Sequence, residues 1–142
     1  MRYNYNMPKC RNCNKLNARK SYIYCSNQCQ RDYECTSWLV KWAKGEVDGG
    51  RGINTRNVSG YLARYLFEKY KQACSICGWN QVHPVTNRVP LEIDHIDGNA
   101  ENNIESNLRV VCPNCHSLTS SFRNLNKGTG REWRRLKYIK SV

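Results

Sequence analysis

Two groups of side chains in this sequence can do chemistry at close quarters. The first is a set of paired cysteines: eight of the nine fall as Cys10/Cys13, Cys25/Cys29, Cys74/Cys77 and Cys112/Cys115, while Cys35 stands alone. Four thiolates at such spacings make a tetrahedral cage for structural zinc, so the first four and the last four cysteines are each read as one site. The second group is smaller. Asp94 directly precedes His95, and His116 directly follows Cys115. If Cys112 and Cys115 share a zinc with Cys74 and Cys77, the metal pins His116 close to the segment carrying Asp94 and His95. A carboxylate and one imidazole can then hold a divalent cation with positions open to water and phosphate, and the other imidazole serves as a base. Histidine suits that task because its ordinary pKa of about 6.5 leaves it largely neutral at pH 7.

Charge narrows the partner. The 142 residues carry 23 basic and 11 acidic side chains, a formal net charge of +12, and such a surface attracts polyanions, nucleic acid first among them. Against that background residues 91–107 hold five acids, Glu92, Asp94, Asp97, Glu101 and Glu105, and no lysine or arginine. An acidic pocket in a basic protein suits nucleic acid when a cation sits between carboxylate and phosphate. Glu101 and Glu105 read as solvated loop charges, and Asp97, Asn99 and Asn103 as loop formers.

The length excludes a large multidomain enzyme. Apolar content is 39% whether Tyr or Gly is counted in the set, since there are nine of each, against about 45–50% in a typical domain. So thin a core points to metal as a second source of stability. The N-terminal stretch has no apolar run of signal-peptide type, and no stretch reaches the ~18 apolar residues of a membrane span. The expectation is a cytoplasmic protein, neither secreted nor membrane-bound, whose thiols are kept reduced for metal.

The elements that must position these groups follow from periodicity and punctuation. Residues 1–45 form an N-terminal zinc-binding module of four cysteines, read as a treble-clef-like knuckle whose last two ligands start a helix capped by Ser26 and stopped at Gly45; Cys35 on that helix reads as a small buried apolar residue. Residues 46–72 are a Gly-rich linker or mobile loop followed by an aromatic helix over residues 59–72, on which Val58, Leu62, Tyr65, Leu66 and Tyr70 recur at helical spacing. Residues 73–125 begin with the CxxCG knuckle, continue through strands at 90–96 and 107–111 joined by a polar loop, and end in a helix started by Pro113 and carrying His116, Leu118 and Phe122. His83 reads as a loop residue. Residues 126–142 form a basic tail. The fold class is α+β, small and zinc-stabilised.

The stretch LEIDHIDGNAENNIESNLRVVCPNCHSLT resembles the HNH endonucleases of the ββα-metal class, above all the zinc-stapled phage and mobile-element members. The three letters correspond to His95, Asn107 and His116; Asp94 before the first histidine, the DGN turn at Asp97, the NLR from Asn107 to Arg109 and the CPNCH from Cys112 to His116 match as well. The resemblance covers about residues 73–125. It implies a ββα-metal nuclease core, with His95 as general base and Asp94 and His116 as ligands of a catalytic Mg²⁺ or Mn²⁺. It implies that Asn107 ties the loop and orients the His95 imidazole. It also implies hydrolysis of a phosphodiester to 3′-hydroxyl and 5′-phosphate ends, one strand per engagement. Pleating raises a geometric question, because adjacent strand residues face opposite sides, so Asp94 and His95 share a site only where the strand bends.

Double-stranded DNA is the expected partner. The candidate contacts are Arg51, Arg56, Arg64, Arg109, Arg123, Lys127, Arg131, Arg134 and Arg135, the last four in a tail where Trp133 and Tyr138 interleave with basic residues. Solvated surface charge explains the loop arginines equally well. The first reading is thus a phage or homing-type endonuclease with two structural zinc ions and one catalytic divalent cation. The rival from another class is a non-catalytic zinc-dependent DNA-binding protein, which would need the cysteines and the charge but not Asp94, His95, Asn107 and His116 together. An RNA-binding zinc protein is a further rival, distinguished by its protection of single-stranded RNA.

Overall fold

The computed structural model describes residues 7–51 and 57–126. The expected DNA contacts Arg56, Lys127, Arg131, Arg134 and Arg135, and the basic tail they belong to, lie outside the described residues. The chain divides into two compact units, residues 1–46 and 47–142.

In the first unit a knuckle turn precedes one long helix. Lys9 and Leu16 form an antiparallel bridge, and between them the chain reverses through Asn14, whose φ of 61° is left-handed, a conformation asparagine tolerates better than most residues. Cys10 N–H donates to Lys15 O at 2.7 Å and Asn14 N–H to Cys10 O at 2.9 Å. Helix α1, Asn27–Ala43, starts where the Ser26 side chain accepts the Cys29 N–H, satisfying one of the donors a helix start leaves unpaired. It ends at Gly45, φ 74°, where the Gly45 and Glu46 N–H groups return to Trp42 O and Lys41 O, the closure a left-handed glycine permits. Cys35 is buried on α1.

The second unit opens with a loop that is tied at its base. Gly50 and Val58 form a bridge, Arg51 N–H donates to Asn57 O, and Ser59 N–H to Gly49 O. The Gly-rich stretch expected as a linker therefore has paired ends, and before them Asp48 Oδ1 accepts the Gly50 N–H at 2.9 Å. Ser59 then caps α2, Gly60–Lys69. Of the expected stripe, Leu62 and Leu66 are fully buried. Strands β1, Glu92–His95, and β2, Leu108–Val111, pair antiparallel with Glu92 opposite Val111 and Asp94 opposite Arg109. Helix α3, Pro113–Ser117, packs on β1. The described architecture is thus α+β, with β1, β2 and α3 in the ββα order.

The core is small. Leu62, Leu66, Leu108, Val110 and Val111 are its fully buried aliphatic side chains, and Cys74, Val111 and Cys112 form one cluster with Trp79, Leu91 and Cys115 against it, so the second cysteine cage is part of the core. The knuckle is stitched to β2 by Ser75 N–H donating to Val110 O at 2.8 Å. Gly78 turns it at φ 75°, with nothing within 4 Å of where a Cβ would stand; backbone conformation, not space, is what requires glycine there.

One element is shorter than expected. α3 stops at Ser117, leaving Leu118 86% exposed and Phe122 beyond the helix. Ser117 Oγ donates to Asn114 O and Thr119 Oγ1 to His116 O, so in Ser117–Leu118–Thr119–Ser120–Ser121 hydroxyls compete for the carbonyls that a longer helix would use. Phe122 instead meets His116 edge-on, ring centres 5.3 Å apart.

Candidate active site

Each cysteine quartet converges. Within Cys10, Cys13, Cys25 and Cys29, and within Cys74, Cys77, Cys112 and Cys115, the sulfur atoms all lie within 4.8 Å of one another. A zinc ion with Zn–S bonds of about 2.3 Å needs sulfur separations of about 3.8 Å, and Cys77 Sγ to Cys112 Sγ is 3.8 Å. Both groups could therefore hold zinc.

The thiols are electrostatically uneven. Burial pushes Cys10 up, but the backbone N–H groups of Cys13, Cys25 and Asn12 outweigh it and bring the thiol down to about 6. Cys74 behaves alike: burial raises it, and the N–H groups of Cys77, Cys112 and Ile76 bring it to about 6. Cys25, beside the sulfurs of Cys29, Cys13 and Cys10, is pushed up to about 12, and Cys115, beside Cys77, likewise to about 12. Four sulfurs in one cage cannot all shed protons unaided, and a divalent cation is the natural replacement for those protons.

Beside the second cage lies the acid–histidine group. Asp94 is 5% exposed. Its Oδ2 accepts from Arg109 Nε at 2.8 Å and lies 2.8 Å from Arg109 Nη2, a pairing that follows from their register as direct cross-strand neighbours. Oδ1 is left to face His116 Nε2 at 3.6 Å. On the other side of that imidazole, Nδ1 lies 2.5 Å from Glu92 Oε2. A carboxylate can only accept, so Nδ1 donates, and in the neutral form of the ring Nε2 would present its lone pair to Asp94. In that form two lone pairs oppose one another at 3.6 Å. A divalent cation about 2.1 Å from each atom could bridge them, with the carboxylate and imidazole as protein ligands.

His95 is set by a different acceptor. Its Nε2 lies 2.9 Å from Asn103 Oδ1, and since a carbonyl oxygen only accepts, Nε2 donates and Nδ1 carries the lone pair. Asn103 is 6% exposed. Asn107, expected to orient this ring, is buried and is bound elsewhere. Its Oδ1 accepts the Asp97 N–H at 3.0 Å, and its Nδ2 donates to Asp97 Oδ1 and Asn102 O, both at 2.8 Å. Asn107 braces the loop, and Asn103, on that loop, reaches His95. Burial raises the Asp97 carboxyl, but the amides of Asn102, Asn99 and Asn107 more than offset this and hold it below its ordinary value.

Three residues of this arrangement escape sequence reasoning. Glu92 reads only as one of five acids, although its place two residues before Asp94 on a strand puts both on one face. Asn103 reads as a loop former. Glu105 reads as solvated, yet its Oε1 accepts from Tyr65 Oη at 2.6 Å and Lys69 Nζ at 2.5 Å, because α2 packs on β2 and presents these residues to the turn before it. His83 is a loop residue whose Nδ1 accepts from the Val85 and Thr86 N–H groups.

The expected DNA contacts within the described residues are dispersed. Arg51 is exposed. Arg64 is paired along α2 with Glu68 at 2.8 Å. Arg109 is committed to Asp94. Arg123 lies with its guanidinium 4.9 Å from the Phe122 ring centre. Among the described residues no helix is long and apolar enough to cross a membrane.

Residues 74–122 match the family model described as HNH endonuclease. A stretch of 57 residues is 39% identical to the H-N-H endonuclease F-TflIV of Escherichia phage T5, covering 40% of this chain. The chain spans 23% of that curated relative's length. No solved structure gives a significant match.

Proposed function

We propose that the protein, whose residues 74–122 match the HNH endonuclease family model, hydrolyses phosphodiester bonds of double-stranded DNA through one active centre built from Asp94, His95 and His116. The observation that carries this reading is the facing of Asp94 Oδ1 and His116 Nε2, 3.6 Å apart, with His95, the residue after Asp94, held through its Nε2 by Asn103. A pure DNA-binding module has no use for either.

Asp94 and His116 would hold Mg²⁺ or Mn²⁺. When bound, such an ion supplies positive charge against a phosphate oxygen and the departing 3′ oxygen, the main requirement of phosphoryl transfer. Arg109 occupies one oxygen of Asp94 and so directs the other to the ion; Glu92 fixes the His116 tautomer. His95 Nδ1 accepts a proton from water as the water oxygen bonds to phosphorus and the bond to the 3′ oxygen breaks; the departing 3′ oxygen takes a proton from solvent, leaving a 5′-phosphate and a 3′-hydroxyl. Asn103 holds the imidazole in the tautomer this needs, and Asn107 holds the loop that carries Asn103. With one base and one cation site, each engagement cuts one strand. The two cysteine cages hold structural zinc, and the enzyme acts in the cytoplasm as a phage or homing-type nuclease.

The test is cleavage of supercoiled plasmid with and without added Mg²⁺ or Mn²⁺, comparing the native chain with His95→Ala. Metal-dependent nicking that falls by about 10²–10⁴-fold in a zinc-loaded, DNA-binding His95→Ala protein is the expected result. Binding without cutting by the native chain would establish the non-catalytic zinc-dependent reading instead.

A further inference from the structure

The first unit carries a surface that the hydrolytic chemistry does not use. Between Lys9 and Arg31 lie six basic residues, Lys9, Arg11, Lys15, Arg19, Lys20 and Arg31, and no aspartate or glutamate. All six are exposed. The acids of α1 begin only afterwards, and Asp32 and Glu34 there accept from Gln28 and Gln30 one turn earlier.

The basic residues ride on two turns that are joined to each other. Arg11, in the knuckle turn, donates its N–H to Ile23 O at 3.0 Å. Asn17, 3% exposed, follows that turn and donates its amide to Tyr22 O, while Asn17 N–H reaches Pro8 O at 2.9 Å. The knuckle and the Arg19–Lys20–Ser21–Tyr22 turn, which Tyr22 N–H closes on Arg19 O at 3.1 Å, therefore form one body around the first cysteine cage. Two arginines are held over aromatic faces: Arg11 lies 5.8 Å from the Tyr33 ring centre and Arg19 5.6 Å from that of Tyr22. Stacking of this kind restricts a guanidinium before any partner arrives, which lowers the ordering cost of binding. At the Tyr22 edge a groove of about 550 Å³ is lined by Tyr22, Tyr24, Cys25, Ser26, Asn27 and Gln30. Its lining offers hydroxyls, amides and the Cys25 sulfur, with no carboxylate.

We propose that this face of the N-terminal module, centred on Arg11, Arg19 and Lys20 beside the Tyr22–Gln30 groove, docks on the phosphodiester backbone of duplex DNA as an anchoring surface that takes no part in the cleavage chemistry. The identity of the partner rests on the DNA-cleaving reading; the surface itself rests on charge, exposure and the two stacked guanidiniums. Six exposed cations between residues 9 and 31, a span with no acid in its sequence until Asp32, match an evenly charged polyanion, which fixes position without reading sequence.

The test measures binding rather than cutting, so that it stands whether or not the protein proves to be a nuclease. The zinc-loaded 142-residue chain is titrated onto fluorescent duplex DNA, single-stranded DNA and RNA probes at several salt concentrations without added divalent ions. Arg19→Gln/Lys20→Gln is compared with Lys41→Gln/Lys44→Gln, which removes the same charge from the far end of α1. The first variant is expected to bind about tenfold more weakly near physiological salt and to lower the slope of log affinity against log salt by about two, one per lost phosphate contact. Arg11→Gln, at the other turn, is expected to lower the slope by about one. Equal losses in the Lys41/Lys44 control, unchanged affinity in the Arg19/Lys20 variant, or a loss confined to single-stranded DNA or RNA would each overturn the proposal. Zinc content and circular dichroism equal to the native chain establish that the variants are folded.

Discussion

His95 and His116 are the same side chain put to opposite uses, and in each case a single acceptor decides which nitrogen keeps its lone pair. Asn103 takes the Nε2 proton of His95, so Nδ1 is the basic atom; Glu92 takes the Nδ1 proton of His116, so Nε2 faces Asp94. The residue types at Asp94, His95 and His116 are legible in the sequence because few other chemistries need them beside a cysteine knuckle. Their supports are less so. Asn99, Asn102, Asn103 and Asn107 lie within nine residues, and nothing in one dimension says which asparagine folds back onto the imidazole and which ties the loop. The split has a measurable consequence. Asn103→Ala removes the group that fixes the His95 tautomer and leaves the cation ligands intact. The expected effect is a fall of about 10–100-fold in kcat, the usual cost of losing such an outer partner, with little change in KM and unchanged zinc content. The loss should shrink in Asn103→Gln if the longer amide reaches the ring. A KM effect without a kcat effect would assign Asn103 to DNA contact instead of to the base.

At the scale of elements, strand register carries most of the site. Asp94 and Arg109 are opposite one another in β1 and β2, so the ladder that forms the sheet also aims one carboxylate oxygen away from the guanidinium. Pleating puts Glu92 and Asp94 on one face; His95 is the last residue of β1, where the regular ladder ends, and the loop that follows brings Asn103 to it. The strands and α2 are legible from periodicity. The end of α3 is not, because apolar spacing through Leu118 and Phe122 imitates a helix that hydroxyl competition stops. Nor is the strut between α2 and the turn carrying Asn107, whose partners Tyr65 and Glu105 are 40 residues apart in sequence. That strut gives a pH prediction. Lys69, then Tyr65, hold the Glu105 carboxyl below its ordinary 4.5, so its contribution is complete above about 4.5 and is lost as pH falls through the lower folded value. Lys69, raised above 10.5 by Glu105, keeps its contribution below 10.5 and loses it as pH climbs past the folded value. Both side chains are over two fifths exposed, which limits the pair to about 0.2–1 kcal/mol. Thermal melts of the native chain and Glu105→Gln in excess zinc should differ by a constant amount from about pH 8 to about pH 5.5, and the gap should close below about 4.5. A gap that changes through neutrality would point to a histidine as the titrating partner.

For the molecule as a whole, the few fully buried aliphatic residues of the second unit are a small core for a chain whose apolar content is already low, and the cysteine cages occupy the places where a larger protein would put more of it. Cys74 and Cys112 belong to the same cluster as Val111, so the zinc site and the hydrophobic core of that unit are one structure; in the first unit Cys10 and Cys35 are the buried apolar residues among those described. Structural zinc in small peptides contributes about 10–16 kcal/mol of apparent binding free energy at neutral pH, comparable to or larger than the ~5–15 kcal/mol net stability of an ordinary domain. Removal of metal should therefore unfold each unit rather than loosen it. Metal analysis is expected to find two zinc ions per chain, and a strong chelator at pH 7 should abolish the helical far-UV circular dichroism, to which α1 with its 17 residues is the largest contributor among the described helices. Because Cys29 lies in the first turn of α1 and Ser26 caps it, losing the first ion also loosens the start of that helix. Cys10→Ser and Cys74→Ser each remove a ligand from one cage and so separate the two effects: the first should lower zinc to one per chain and leave plasmid nicking by the second unit measurable, the second should lower zinc equally and abolish nicking, since it frees the turn that holds His116. Full circular dichroism after complete zinc removal would mean that the aliphatic core alone suffices, and the cages would then be sites of regulation instead of construction.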